Sequence, residues 1–200
     1  MKKVKAFPGD QSLPAGLMSG FTMIEVLVVM VILAILMGLA IPGFSRWLPN
    51  YRLRGATRDL YSNLQLAKTG AVKERCEWAV LFTSTTSYQV WSAGTNRVWD
   101  AYSTPNDTLV KTVNLSDYGS GVAFGAGSAS SAVGGGAITP VPPNAIVFNS
   151  RGITTNNATV FAYMTNNRNT SFAVGTWASG AVILRKWNGS IWEEQERMQA

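Results

Sequence analysis

The chain has no histidine, and Cys76 is its only cysteine in 200 residues. The absence of histidine removes the commonest general base and the commonest neutral metal ligand. A single cysteine excludes an internal disulfide and a zinc site built from several cysteines. Lys73 and Arg75 lie close to Cys76 in sequence. Two interpretations therefore stay open: a small, half-buried residue near a helix end, or a thiol whose pKa these cations lower.

Charged residues are also scarce, at 14% of the chain, and the net charge is +6. The apolar fraction of 46% is that of a globular protein, and the mild positive charge is compatible with anionic lipid or nucleic acid without requiring either. Gly134-Gly135-Gly136 lies in a low-complexity stretch and forms no phosphate-binding motif. No catalytic residue, cofactor or metal site is predicted, and the chain is expected not to be an enzyme.

A long apolar run stands near the amino terminus, with no charged residue between Val26 and Ser45. As a helix, the segment from Phe21 to Phe44 would span about 35 Å, enough to cross a hydrocarbon core of about 30 Å. One carboxylate, Glu25, stands at the start of this run. An ionisable group in a membrane segment is costly, so Glu25 is expected to have a function.

Two ordinary interpretations of this run are open. A secretory signal peptide would be cut near Gly38-Leu39-Ala40, where small residues follow an apolar core. A plain signal anchor would stay uncut and would explain the hydrophobicity alone. Neither accounts for the fixed order of Gly20, Phe21 and Glu25 at the start of the run.

The order Gly20-Phe21-Thr22-Met23-Ile24-Glu25, followed by an apolar helix, resembles the processing site of type IV prepilins and type II secretion pseudopilins. The resemblance implies a leader of residues 1–20, cut off by prepilin peptidase between Gly20 and Phe21, and N-methylation of Phe21. It also implies that Glu25 meets the terminal amine of a neighbouring subunit, since opposite charges attract strongly in a low dielectric. A helix dipole would in any case favour a Glu in the first turn.

Residues 21–45 are predicted to form the transmembrane or filament-core helix and residues 46–75 an amphipathic stalk helix. Pro42 is expected to kink or locally break the helix, either to help a subunit leave the bilayer or simply at the membrane surface. Four arginines could touch anionic headgroups, a neighbouring subunit or only solvent: Arg46, Arg52, Arg54 and Arg58. Apolar residues recur at helical spacing and predict a buried stripe: Leu53, Ala56, Leu60, Leu64, Ala67 and Ala71.

Residues 76–200 are predicted to form a β-rich domain. Asn188-Gly189 predicts a hairpin between the last two strands, and residues 119–143, rich in Gly, Ser, Ala and Pro, predict a flexible loop. The predicted strands are short β-type runs separated by turn residues. They cover residues 78–83, 87–92, 97–102, 108–115, 145–149, 159–164, 170–175, 180–187 and 190–193.

The segment Phe148-Asn149-Ser150-Arg151-Gly152 resembles the middle of the GspH/FimT group of pseudopilins and minor pilins, although a glycine turn explains Arg151-Gly152 equally well. The resemblance implies a pilin-like α+β fold: a long N-terminal helix, half membrane and half amphipathic, packed on an antiparallel β domain. It implies a minor pilin or pseudopilin whose partners are other pilins and an inner-membrane assembly platform. The β domain would be periplasmic and lie near the filament tip.

An alternative function is DNA binding during natural transformation, because some members of the FimT group bind DNA through basic residues near the carboxyl end. Arg168, Arg185 and Lys186 are the candidate contacts, with Trp177 and Trp187 as stacking or packing neighbours. Three nearby glutamates would repel phosphate, and they are better interpreted as a solvated tail than as calcium ligands. They are Glu193, Glu194 and Glu196.

Overall fold

A computed structural model describes residues 20–100, 107–139, 144–155 and 159–194, and residues 1–19 of the expected leader lie outside them. A single helix, α1, runs from Met23–Glu74. The backbone is helical through Pro42 and Gly43, so a full break is not found there, and a kink at Pro42 stays a prediction. A proline removes one hydrogen bond from the preceding turn, and the flanking turns continue on both sides of it. The chain divides into two compact units between Pro42 and Gly43.

In the first unit, the large apolar side chains from Met23 to Leu39 are 44–90% exposed. The helix is long and apolar enough to cross a membrane, by length and composition. A helix that is apolar on every side and buried by nothing in its own chain needs an apolar environment. The described part of this unit therefore has the character of an anchor.

The second unit, from Gly43 onward, packs the rest of α1 against two antiparallel sheets. Its strands are β1 Trp78–Ser84, β2 Ser87–Ser92, β3 Thr108–Asn114, β4 Ala123–Phe124, β5 Ala145–Phe148, β6 Val160–Thr165, β7 Ser171–Thr176, β8 Val182–Trp187 and β9 Trp192–Glu194. The first sheet has the order β3-β2-β1-β5 and the second the order β4-β6-β7-β8-β9. The predicted α+β class is confirmed.

The predicted helix stripe is confirmed: Leu53, Ala56, Leu60, Leu64, Ala67 and Ala71 are all fully buried. They share one core with side chains from both sheets, among them Val80, Phe148 and Phe172. Spacing of three and four residues places these side chains on one helix face, which the sheets cover. Burial of this stripe attaches the helix to the β domain.

A polar cluster links the same helix to the first sheet. The Asn63 amide donates to the hydroxyl of the buried Tyr88 at 2.7 Å, and that hydroxyl donates to Asp59 at 3.3 Å. The Lys111 ammonium lies 3.5 Å from the other Asp59 oxygen. Burial is the main cause that raises the pKa of Tyr88, so its hydroxyl stays protonated and remains a donor.

The segment expected to be a flexible loop is packed on the second sheet over residues 119–139; residues 140–143 lie outside the described part. The Trp192 indole donates to the Ser131 carbonyl at 2.6 Å, and the Val133 amide donates to the Tyr163 hydroxyl at 3.1 Å. Val133 is buried with Tyr163, Trp187 and Trp192. Small residues allow this close approach to large aromatic rings, so the composition that indicated flexibility serves packing here.

Most strand predictions lie within a few residues of the observed strands, with two exceptions. The short β4 was missed, because it lies inside the segment predicted as a loop. Residues 97–100 of the predicted strand 97–102 are not extended pairing partners, and residues 101–102 lie outside the described part. Arg97 adopts a left-handed φ of 64°, and the amide of Trp99 donates to the Glu77 carboxylate at 3.0 Å instead of to a strand. The Asn188-Gly189 hairpin is confirmed by pairing of β8 with β9.

We predict that position 70 requires a glycine, because the indole of Trp78 lies against it. A Cβ at Gly70 would lie 2.6 Å from that ring, which is held by its bond from Nε1 to Glu74 at 3.0 Å. Gly70→Ala should lower the free energy of unfolding by about 1–3 kcal/mol despite a better helix propensity. Gly55 is the matched control, because its nearest atom would be 3.7 Å away.

Gly55→Ala should therefore stabilise the protein by up to about 1 kcal/mol. Thermal unfolding of both full-length variants in one detergent, followed by tryptophan fluorescence, measures the difference. Equal shifts of the two variants in the same direction would show that the indole moves aside and that the contact with Gly70 has no energetic consequence.

Candidate functional site

The start of α1 carries the residues that sequence singled out for processing and assembly. Gly20 and Phe21 precede the helix and are exposed, with Phe21 at 83%. Thr22 caps the helix: its carbonyl accepts from the amides of Glu25 and Val26, and its hydroxyl accepts from the amide of Glu25 at 3.3 Å. A Thr followed three residues later by a Glu is the pattern of a capping box. Sequence reasoning recorded both residues but missed this signal.

Glu25 thus lies in the first turn of the helix, where the helix dipole favours a carboxylate. Its side chain is exposed and is followed by a continuous exposed apolar surface. A carboxylate beside such a surface becomes costly once that surface is buried in lipid or among other helices, unless a cation joins it. The arrangement therefore favours a cationic partner for Glu25 from outside this chain.

Phe148 and the turn that follows it form the second feature that the sequence singled out. The side-chain oxygen of Asn149 accepts from the amides of Arg151 at 2.9 Å and Ile153 at 3.4 Å. Gly152 has a φ of 74°, and a Cβ there would lie 3.0 Å from Val72 on α1. The turn therefore lies against the helix and has a structural role, whatever else the exposed Arg151 does.

The three basic residues proposed for DNA contact are not brought together. Arg168 and Lys186 line one cleft, together with Arg54 of α1. Arg185 is the neighbour of Lys186 on β8, so the two side chains point to opposite faces of the sheet. Arg185 lies 3.8 Å from Glu194, an ion pair that sequence did not predict.

The two tryptophans proposed as stacking or packing neighbours both pack against other aromatic rings of the chain. Trp187 is 6% exposed and packs against Trp192, with ring centroids 5.3 Å apart. Trp177 contacts Phe161 edge to face at 5.6 Å. Base stacking needs an open aromatic face, which the buried Trp187 does not offer.

Two further possibilities from sequence were a reactive thiol at Cys76 and a metal site formed by acidic residues. Cys76 is 3% exposed, and its Sγ lies 3.7 Å from the hydroxyl of Ser92 and from the carboxylate of Glu74. A thiol buried to this degree is not open to reagents in solution, so the interpretation as a small packed residue is favoured. Within the described ranges, no group of three or more Cys, Asp or Glu is arranged to hold a metal ion; Glu196 lies outside them.

Comparison with known sequences finds two similarities. Residues 56–180 match the family described as type II transport protein GspH. Residues 18–41 match the prokaryotic N-terminal methylation motif. The second match covers Gly20, Phe21 and Glu25, and the first covers the buried helix stripe from Ala56 onward and most of the β domain.

No curated protein matches the sequence. Among solved structures, the chain is similar to the type IV minor pilin FimU of Pseudomonas aeruginosa strain PAO1. That crystal structure is 12% identical and has a TM-score of 0.49, over 72% of this chain and 94% of the other.

Proposed function

The chain belongs to the GspH family of type II transport proteins, and from that membership we propose that it is cut after Gly20 and assembled into a filament through Phe21 and Glu25. It is a minor pilin or pseudopilin. Family membership implies assembly with other pilins or pseudopilins, and the prepilin motif indicates a membrane anchor.

The observation that carries the proposal is the order of features at the helix start. An exposed Gly20-Phe21 pair precedes a Thr22 cap, a carboxylate at Glu25, and then an apolar surface that nothing in the described part of the chain covers. Cleavage before Phe21 creates a free amine four residues from Glu25. In a bundle of such helices, each carboxylate can pair with the amine of a neighbouring subunit, which lowers the cost of burying both charges.

The proposed partners follow from the same segment. Prepilin peptidase would cut the leader and methylate Phe21, and an inner-membrane platform would move the subunit into the filament. We place the β domain in the periplasm, near the tip of the assembled filament. The expected N-methylation adds bulk to the amine and leaves its positive charge, so the pairing with Glu25 is preserved.

DNA binding is not retained as a candidate function. The comparisons give it no support. Arg185 forms an ion pair with Glu194, and Trp187 is buried. The residues first suggested for DNA contact therefore do not form one exposed surface.

The mass of the amino-terminal peptide tests the processing step. In protein purified from its native membrane, this peptide should begin at Phe21 and be about 14 Da heavier than its sequence, from one methyl group. Replacement of Gly20 by Phe should leave the unmethylated precursor in the membrane, because a bulky residue does not fit a peptidase site that accepts glycine. A wild-type start at Met1, or near Ile41, would overturn the proposal in favour of an uncut anchor or a secreted domain.

A further inference from the structure

We propose that the basic cleft of the second unit, formed by Asn50, Arg54, Arg168 and Lys186, binds the phosphate of an anionic phospholipid headgroup. The cleft has a volume of about 310 Å³. Helix α1 contributes Asn50 and Arg54, the β6–β7 turn contributes Arg168, and Lys186 lies near the end of β8. The proposal goes beyond filament assembly and concerns a different part of the chain.

The cleft has a defined shape, because hydrogen bonds between the helix and the second sheet hold its floor in place. The side-chain oxygen of Asn50 accepts from the amide of Asn166 at 2.9 Å and from the hydroxyl of Thr170 at 2.8 Å. Asn166 is 4% exposed, and its own oxygen accepts from the amides of Arg168 and Thr170. These bonds hold the β6–β7 turn, and with it Arg168, against the helix at residue 50.

The charges in the cleft are of one sign. No Asp or Glu lines it, and within the described ranges Arg54, Arg168 and Lys186 form no ion pair. The closest carboxylate by strand register is Glu193, opposite Lys186, and it accepts from the Asn188 amide at 2.6 Å. Three cationic donors around a polar concavity fit an anion that carries several acceptor oxygens, as a phosphodiester does.

The sequence position of the cleft favours a lipid as the source of that phosphate. In the sequence, the apolar run ends at Phe44 and is long enough as a helix to cross the hydrocarbon core. Asn50 then follows about 9 Å beyond Phe44, close to the headgroup layer, which extends about 5–8 Å beyond the core. Helix tilt shortens this separation, and long basic side chains can extend several ångströms toward headgroups.

Three exposed aromatic residues lie on the helix close to Asn50. Phe44, Trp47 and Tyr51 are 62%, 54% and 59% exposed, although their size would favour burial. They follow one another along one helix face, and the rings of Trp47 and Tyr51 stack with centroids 4.7 Å apart. Aromatic side chains of this kind are enriched where a membrane helix passes through the headgroups. Basic side chains just beyond such a belt are attracted by anionic lipids.

The test uses the full-length protein in neutral detergent and native mass spectrometry. The probes are dioctanoyl phosphatidylglycerol, dioctanoyl phosphatidylcholine, inorganic phosphate and a twelve-base single-stranded DNA. Phosphatidylglycerol should bind most tightly, and Arg168→Ala/Lys186→Ala should weaken its binding by about 30-fold, the effect of two lost basic contacts. Glu193→Gln should tighten it, since a negative charge near the cleft is removed.

The matched control is Lys73→Ala/Arg151→Ala, which removes two exposed positive charges elsewhere on the same unit and should leave binding unchanged. Equal binding of the two lipids would overturn the proposal, as would an equal loss in the control. Inorganic phosphate that binds as tightly as phosphatidylglycerol would replace the lipid by a free anion. Tighter, cleft-dependent binding of the DNA would replace it by a nucleic acid. Because the assay needs neither cleavage nor filaments, its failure is distinguishable from failure of the processing proposal.

Discussion

Replacement of Glu25 by alanine is expected to leave cleavage and membrane insertion intact and to reduce incorporation into filaments by more than about tenfold. Removal of one partner from a buried ion pair costs about 3–5 kcal/mol, because the other charge stays buried and uncompensated. Each 1.4 kcal/mol corresponds to a factor of ten in an equilibrium. The amount of subunit in sheared filaments, relative to the amount in membranes, measures the effect.

Two further variants separate charge pairing from helix capping. Glu25→Gln keeps the size of the side chain and loses its charge, so it should fail as Glu25→Ala does. Thr22→Ala keeps the charge and removes the hydroxyl that accepts from the Glu25 amide, at a cost of about 1 kcal/mol to the helix start. Normal incorporation of Glu25→Gln, or an equal defect in Thr22→Ala, would show that the carboxylate acts within its own helix and not through a neighbouring amine.

The amino-terminal features could be predicted from sequence because each depends on residues that are close together in the chain. A helix that is apolar on all sides can be predicted from its composition. The buried stripe from Leu53 to Ala71 can be predicted from the spacing of its apolar residues. The exception was the full break that a local rule allowed at Pro42: the helix continues there, and only the kink stays a prediction. One lost hydrogen bond is outweighed when the helical turns on both sides are stable.

The β domain was predictable only in part, because the missing information was tertiary. Strand positions followed from alternation and turn residues, but the arrangement in two sheets depends on pairings between distant segments, such as β1 with β5. The packing of residues 119–139 could not be read from composition, since its partners Tyr163 and Trp192 are remote in sequence. The cleft was missed for the same reason: Asn50 binds side chains 116 and 120 positions later in the chain.

The same tertiary dependence makes Gly180 a position where any larger residue should cost much stability. Gly180 has a φ of 75° and closes the β7–β8 turn through a bond from its amide to the Trp177 carbonyl at 2.8 Å. A Cβ at this position would overlap the carbonyl oxygen of Gly152 and approach the Cα of Ile153 at 2.9 Å. These are backbone atoms of the turn that follows β5, and that turn is in contact with α1 through Gly152 and Val72. Neither turn can move without displacing the other.

Gly180→Ala is therefore expected to lower the free energy of unfolding by more than about 4 kcal/mol, a large part of the stability of a small domain. Gly136→Ala is the matched control: its φ of 88° is similar, but nothing lies within 4 Å of the added Cβ. The control should lose only the conformational cost of a positive φ, about 1–2 kcal/mol. Thermal unfolding of the full-length proteins in one detergent, followed by near-ultraviolet circular dichroism, compares them. Equal losses in the two variants would mean that backbone conformation alone requires glycine at position 180 and that contact between the two turns adds nothing.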